Sequence, residues 1–232
     1  PHSMLRWDGS SWTASRVPLK PQEELTDSAF SSGNFGVLVG NDFHDNTATT
    51  NAVAFVWDGS AWTREPSMEV ADLQAVALLS ETEGSAFSLD GGLLQRVGGS
   101  WQHTDTPGIS SLRSSFYTSG SPSMQIVLNG SDEGWMMGGR QIWHWDGRQW
   151  RESYRSRLDL YDMSVVDRER VWVSGGDWKT HDHTLIMWNG AEWAEQRIDV
   201  SEPIVSVSAN SVDTGWLLAF HSQTGKGPEA LY

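Results

Sequence analysis

The sequence predicts an all-β fold built from five repeated units of four short strands each. A Trp-rich motif recurs about once every 46 residues along the 232-residue chain. The 23 Gly and 8 Pro residues indicate many turns. Apolar residues rarely follow the 3.6-residue period that helices require. Together these observations favour many short strands over helices.

The repeated motif, W-[DN]-G-x-x-W, is typical of a tight hairpin. The Gly, preceded by Asp or Asn, supplies the positive φ of the turn, and the two Trp would face each other across the strands. The copies are WDGSSW at 7–12, WDGSAW at 57–62, WDGRQW at 145–150 and WNGAEW at 188–193, with a degenerate RVGGSW at 96–101. Their repetition indicates that these Trp belong to the architecture rather than to one binding site.

Alternating apolar runs before each hairpin predict two further strands per unit. The first unit gives LTDSAFSS, GVLVGN, AVAFVW and AWTRE; the second LQAVALLS, SAFSLD, LLQR and SWQHT; the third MQIVLNG, GWMMGG, QIWHW and QWRES; the fourth LYDMSVVD, VWVSGG, TLIMW and EWAEQRI. The fifth gives IVSVSA, GWLLAF and EALY, and lacks its hairpin.

Five such units predict a single five-bladed β-propeller over residues 1–232, with four antiparallel strands per blade. The hairpin MLRWDGSSWT near the N-terminus would complete the C-terminal blade and close the ring, which protects the sheet edges. The predicted blades are about 22–66, 71–106, 109–155, 158–198, and 202–232 together with 4–19. The leading PHSM resembles a cloning scar, so we allow for a native leader or domain before it.

The motifs GWMMGG…IWHWDGRQW, VWVSGG…LIMWNGAEW and GWLLAF…RWDGSSW resemble the repeats of many bacterial propeller proteins of the BNR or kelch-like kind. The likeness covers essentially the whole chain. It implies the propeller fold and little about function. The turn departs from the sialidase-type S-x-D-x-G-x-T-W box because Asp and Gly are adjacent here, which disfavours sialidase chemistry.

Composition argues against several classes of partner. A formal net charge of −14 without a Lys/Arg run disfavours nucleic acid. No stretch approaches 18 apolar residues, so we expect no membrane insertion. The absence of Cys excludes disulfides and thiolate metal sites. We expect a monomer, at the cell surface or outside the cell rather than in the cytoplasm.

The loops between the second and third strands are unequal, and long ones fall in the first, fourth and fifth blades. These loops predict a ligand site on one side of the face where they gather. Its candidate residues are Phe43, His44, Trp178, His181, His183 and His221, with Arg113 and Tyr117 from the long segment joining blades two and three. Phe43 or Trp178 would stack on a sugar ring, and His181 and His183 would share one side if their segment is extended.

Asp42, Asp45 and Asp182 lie in or beside the same loops, and with the His residues they would suit a divalent cation. No other cofactor is expected. The alternative is that all these loops are simply solvated. Arg113, with Arg151, Arg155 and Arg157, would make a basic spot for an acidic ligand, unless these side chains pair with nearby carboxylates.

The leading function is a non-catalytic module that binds a glycan or a protein partner through the uneven loops. An enzyme is less favoured because the sequence has no nucleophile elbow, zincin, Walker or dinucleotide motif. One alternative is a glycoside-processing enzyme with carboxylates at the channel mouth, where Asp27 and Asp162 are available. Another is an excised sensory or structural domain whose partner is part of the same protein.

Overall fold

A computed structural model of the chain describes residues 3–43, 51–66, 68, 70, 73–88, 91–104, 123–177, 179–196, 198, 200, 202–211 and 214–219. The regular elements in these ranges are β-strands, and no helix there is long and apolar enough to cross a membrane. The strands are β1 (Ser3–Trp7), β2 (Trp12–Arg16), β3 (Glu23–Ser32), β4 (Phe35–Asp42), β5 (Asn51–Trp57), β6 (Trp62–Arg64), β7 (Leu73–Leu78), β8 (Glu83–Ser88), β9 (Leu93–Val97), β10 (Ser100–Thr104), β11 (Met124–Gly130), β12 (Glu133–Gly138), β13 (Gln141–Trp145), β14 (Trp150–Arg155), β15 (Asp159–Asp167), β16 (Arg170–Asp177), β17 (Asp182–Trp188), β18 (Trp193–Glu195), β19 (Ile204–Ala209) and β20 (Gly215–Ala219).

The strands form antiparallel sheets in chain order, as the repeat predicts. Four of the described sheets have four strands, and we name them sheet I (β3–β6), sheet II (β7–β10), sheet III (β11–β14) and sheet IV (β15–β18). The pairs β1–β2 and β19–β20 form two-stranded sheets. The all-β, four-strand repeat is therefore confirmed. The predicted EALY strand lies outside the described residues.

The chain divides into two compact units, Pro1–Arg113 and Ser114–Tyr232. In the first unit, one face of sheet I packs on sheet II through small apolar residues such as Val37, Ala54, Val76 and Ala86. In the second, sheet III packs on sheet IV through larger ones, including Trp135, Met137 and Ile186. Burying each such aliphatic or aromatic side chain stabilises the fold by about 1.5–3 kcal/mol.

The four intact motifs fold as predicted. The two Trp of each motif are cross-strand partners, as in Trp57↔Trp62, and their ring centroids lie 5.4–5.7 Å apart. The Gly has positive φ in every copy, for example 94° at Gly59. The residue before it caps the turn: Asp58 Oδ1 accepts the N–H groups of Ser60 and Ala61, both at 2.8 Å.

The first Trp of the motif also ties its hairpin to the turn between the first two strands of the same sheet. Its ring N–H donates to a backbone carbonyl, from Trp57 to Gly33 at 3.2 Å and from Trp145 to Ser131 at 2.9 Å. Trp188 donates to the carbonyl of Arg168 at 3.1 Å. In all three sheets the acceptor lies three residues before the second-strand residue that pairs with this Trp.

Sheet II keeps this connection although its motif is degenerate. Arg96 stands opposite Trp101, in the place of the first Trp, and its Nε donates to the carbonyl of Glu81 at 2.9 Å. Glu81 is again three residues before the paired second-strand residue, Gly84. A two-residue turn with positive φ at Gly98 and Gly99 replaces the capped turn. The guanidinium therefore substitutes for the indole N–H.

We expect Trp57→Phe to destabilise the protein by about 1 kcal/mol more than Trp62→Phe, because only the first substitution removes a hydrogen bond. Both rings are 7% exposed, and Trp62 Nε1 has no acceptor among the described residues. The free energy of unfolding in urea measures the difference. Equal losses would show that the Gly33 bond contributes nothing.

Candidate functional site

The described part of the fourth-blade loop is a compact turn. The side chain of Asp177 accepts the N–H of Lys179 at 2.8 Å, and its carbonyl accepts that of His181 at 2.8 Å. His181 has a φ of 63° and precedes β17, so the segment is not extended at that residue. The condition under which His181 and His183 would share a side is therefore not met. His183 pairs with Gly176 inside the sheet.

Asp42 lies at the end of β4 in a cluster of ion pairs. Its carboxylate is 3.8 Å from Lys20 Nζ, and the neighbouring Glu23, which is fully buried, accepts from Arg64 at 2.7 Å and from the Lys20 N–H at 2.8 Å. Burial raises the pKa of Glu23, but these donors outweigh it and leave the pKa below its usual value. Phe43 follows this cluster and is exposed.

Several predicted residues lie outside the described part of the chain. These are His44, Asp45, Arg113, Tyr117, Trp178 and His221. Within the described ranges, no group of three or more His, Asp or Glu side chains is spaced to hold a metal ion. The metal site and the ligand site of these loops stay predictions.

The predicted basic spot contains Arg residues that have carboxylate partners. Arg155 pairs with Glu152 at 2.7 Å, Arg151 lies 3.4 Å from Asp146, and Arg157 lies 3.5 Å from Glu195. For Arg151, Arg155 and Arg157 the structure thus agrees with the alternative that surface arginines pair with nearby carboxylates.

The first-strand carboxylate Asp162 is a structural connector. One of its oxygens accepts the Val207 N–H at 2.9 Å and the Ser206 hydroxyl at 2.6 Å, both in β19. The other accepts the side-chain amide of Gln125, in β11, at 2.7 Å. Gln125 repeats the pattern, because its own side-chain oxygen accepts the Met163 N–H of the next sheet at 2.6 Å.

In the first compact unit, Asp27 connects two sheets as Asp162 does in the second. Its side chain accepts the Val76 N–H at 2.9 Å, which links sheet I to sheet II. Burial raises the pKa of the Asp27 carboxyl above its usual value, against the lowering effect of its N–H donors. A β-bulge precedes this position in β3, β7, β15 and β19 and re-aims the side chain.

A groove lies beside Trp101 and combines apolar and polar lining residues, and no sequence pattern indicated it. Its volume is about 470 Å³. Met68, Val70 and Leu94 form an apolar floor, and polar groups come from Glu65, Ser100 and His103. We call it the Trp101 groove. Apolar walls with a few polar groups are typical of ligand sites.

Arg96 is buried against the Trp101 ring that lines this groove. Its guanidinium carbon lies 5.4 Å from the Trp101 ring centroid and 5.3 Å from that of Phe35. Its Nη1 donates to Glu65 at 2.8 Å, although Arg96 is 6% exposed. The sequence shows the Arg that replaces Trp in the degenerate motif, but not the contacts that this Arg makes.

Comparisons with protein-family models and with curated proteins find no match. The solved structures that match are β-propellers, which establishes the fold. YCF48 bound to D1 peptide matches with a TM-score of 0.61 and 15% identity, over 94% of this chain and 66% of that chain. The GH74 xyloglucanase from Xanthomonas campestris matches with a TM-score of 0.57 and 12% identity, over 79% and 33%.

A third match is a mutant of the Aleuria aurantia lectin in complex with alpha-methyl-L-fucoside, with a TM-score of 0.56 and 13% identity over 84% of this chain and 69% of that chain. This chain spans about two thirds of the YCF48 chain and one third of the xyloglucanase chain. At these identities the likeness concerns the fold.

We expect Asp162→Ala to lower the free energy of unfolding by about 2–3 kcal/mol, because it removes a charged acceptor from the Val207 N–H and the Ser206 hydroxyl. Glu192→Ala, at an exposed turn residue, is the control and should change it by less than about 0.5 kcal/mol. Urea unfolding measures both variants. If Asp162→Ala were as stable as the parent, the Asp162 carboxylate would not have the structural role assigned to it here.

Proposed function

We propose that this chain is a non-catalytic binding module and that the Trp101 groove is a recognition surface. The observation that carries the proposal is the Arg at position 96. Trp fulfils the repeat's hydrogen bond at this position in sheets I, III and IV, whereas Arg96 fulfils it and also reaches Glu65 beside the groove. Glu65, the carboxylate partner of Arg96, lines a cavity whose surface combines apolar and polar groups, as is typical of ligand sites.

The solved neighbours support a binding role at the level of the fold. One of these structures is a complex with a peptide and another is a complex with a fucoside. Proteins of this fold therefore include both a peptide binder and a fucoside binder. The xyloglucanase match leaves the glycoside-processing alternative available at the level of the fold. The hydrogen bonds of Asp27 and Asp162 argue against a glycoside-processing enzyme. Both first-strand carboxylates already accept backbone N–H groups of another strand pair and hold the sheets together.

The loops of the first, fourth and fifth blades are a second proposed surface, with the residues predicted from the sequence. We further propose a location at the cell surface or outside the cell. A partner elsewhere in a longer protein would use the same surfaces.

We also propose that five blades close into a ring through the N-terminal hairpin. In each complete sheet the second strand pairs with the third, with register pairs such as Gly134↔Trp145 and Trp135↔His144. The same register would place Gly215 opposite Trp7 and Leu217 opposite Leu5. Both strands present exposed apolar side chains, since Trp216 is 78% and Leu5 61% exposed, and such faces normally find a partner.

The binding role can be tested with immobilised protein probed by a glycan array and by a displayed random-peptide library. We expect capture of at least one class of ligand, and loss of capture in Ser100→Arg, which places a long side chain at the exposed rim of the Trp101 groove. A triple variant, His44→Ala, Trp178→Ala and His181→Ala, tests the loops instead. Hydrolysis of chromogenic glycosides without capture from either library would overturn the proposal.

The closure can be tested by cross-linking, because the chain contains no Cys. We expect Leu5→Cys with Leu217→Cys to form a disulfide within one chain under mild oxidation, seen by mass spectrometry and non-reducing electrophoresis. Leu5→Cys with Leu218→Cys, one residue out of register, is the control. A disulfide only between two chains, or none, would contradict closure in this register.

A further inference from the structure

The junction of sheets III and IV shows what fills the space beside the second Trp of a motif. Here Tyr154 lies against Trp193, with ring centroids 5.6 Å apart and an interplanar angle of 42°. The ring N–H of Trp193 donates to the Ser153 hydroxyl at 2.9 Å. A β-bulge at Ser153 in β14 supplies both groups, because Trp143 pairs with Glu152 and Ile142 with Tyr154.

The junction of sheets I and II has corresponding strands but, in its described residues, no counterpart of the Tyr154 ring or the Ser153 hydroxyl. Trp101 corresponds to Trp193, and Glu65 corresponds to Tyr154, since the Glu65 N–H donates to Ala54 where Tyr154 pairs with Ile142. Strand β6 is only three residues long and has no bulge in its pairing. Among the described residues, no side chain fills the Trp101 groove as Tyr154 fills its counterpart.

In the described part of the chain, the ring N–H of Trp101 lacks the acceptor that Trp193 has, as do those of Trp62 and Trp150. It is buried and has no hydrogen-bond partner among the described residues. A buried donor without an acceptor costs about 1–3 kcal/mol. An occupant that offers an oxygen where Ser153 stands in the other junction would recover part of that cost.

We infer that the Trp101 groove binds a neutral saccharide residue, an inference that rests on the binding role proposed above. The closed junction provides the template: a six-membered ring against the Trp and a hydroxyl oxygen on its N–H. A pyranose carries both features, since its C–H face packs on an aromatic ring and its hydroxyls accept and donate hydrogen bonds.

The surroundings favour a neutral sugar over other ring-bearing ligands. Glu65 and Ser100 at the rim offer hydrogen-bond partners to several hydroxyls, which an aromatic side chain of a peptide would leave unused. The net charge of −14 and the Glu65 carboxylate disfavour acidic sugars. The groove of about 470 Å³ has room for more than one ring.

The test uses the full chain and a panel of glucose, galactose, mannose, fucose and N-acetylglucosamine, observed by saturation-transfer NMR. The groove-filling variant is Arg96→Trp with Glu65→Tyr, which rebuilds the Trp–Trp–Tyr arrangement of sheets III and IV. The matched comparison is Ser15→Tyr, because Ser15 pairs with Met4 as Tyr154 pairs with Ile142 and lines a separate cavity beside Trp62, whose ring N–H also has no acceptor among the described residues. Loss of sugar binding in this variant would place the sugar beside Trp62 and overturn the inference.

We expect the parent and Ser15→Tyr to bind at least one sugar of the panel, and the filled variant to bind none. Circular dichroism and a single cooperative unfolding transition verify that each variant folds. A second measurement follows the ¹H–¹⁵N indole signal of Trp101 in the parent protein. The signal is assigned as the one that disappears in Trp101→Phe. That signal should shift on adding the bound sugar.

The outcomes separate this inference from the binding role. Sugar binding that survives in the filled variant, or that leaves the Trp101 signal unmoved, would overturn the saccharide site. No sugar binding, together with peptide capture that Ser100→Arg abolishes, would overturn the sugar but leave the binding module standing. Failure to bind either class would overturn both.

Discussion

The hydrogen bond from the first motif side chain to the carbonyl of the preceding turn organises each sheet. It joins the hairpin of the third and fourth strands to the turn between the first and second strands of the same sheet. Trp57, Trp145 and Trp188 make this bond with an indole N–H. Because the bond needs a flat side chain with a donor at a fixed reach, few residue types can replace Trp. Arginine is one of them, and Arg96 meets the requirement.

This constraint explains why sheet II departs from the repeat without losing its shape. The guanidinium keeps the internal bond and also carries a charge and further donors, one of which binds Glu65 across the junction. The same side chain thus serves the internal bond of sheet II and a pairing with the neighbouring sheet. The same reasoning accounts for the contrast between the two junctions: a bulge in β14 brings Ser153 and Tyr154 inward, whereas β6 ends before it can do so.

The repeat, its hairpins and its strand order were predictable because the residues of each motif determine its local geometry. The two Trp pair across the strands, Asp or Asn caps the turn, and Gly takes the positive φ. The role of Arg96 was not predictable, since a single Arg in a degenerate copy looks like decay until its bond to Glu81 is seen. Asp27 and Asp162 were expected among channel carboxylates, but their partners are backbone N–H groups more than 40 residues away, which no local pattern encodes. His181 and His183 were expected to share a side only if their segment is extended, and His181 instead has a left-handed φ in a turn whose backbone bonds to Asp177.

Three first-strand contacts run in the same sense along the chain. Asp27 accepts the N–H of Val76, Gln125 that of Met163 and Asp162 that of Val207, so sheets I, III and IV each offer a side-chain acceptor to a later strand. Sheet IV carries both halves of this joint, because the Met163 N–H donates to the preceding sheet while the Asp162 carboxylate beside it accepts from the following strand. Two adjacent residues of one strand therefore suffice to join a repeat to both of its neighbours in sequence, and a duplicated copy of this strand would bring its own connections with it.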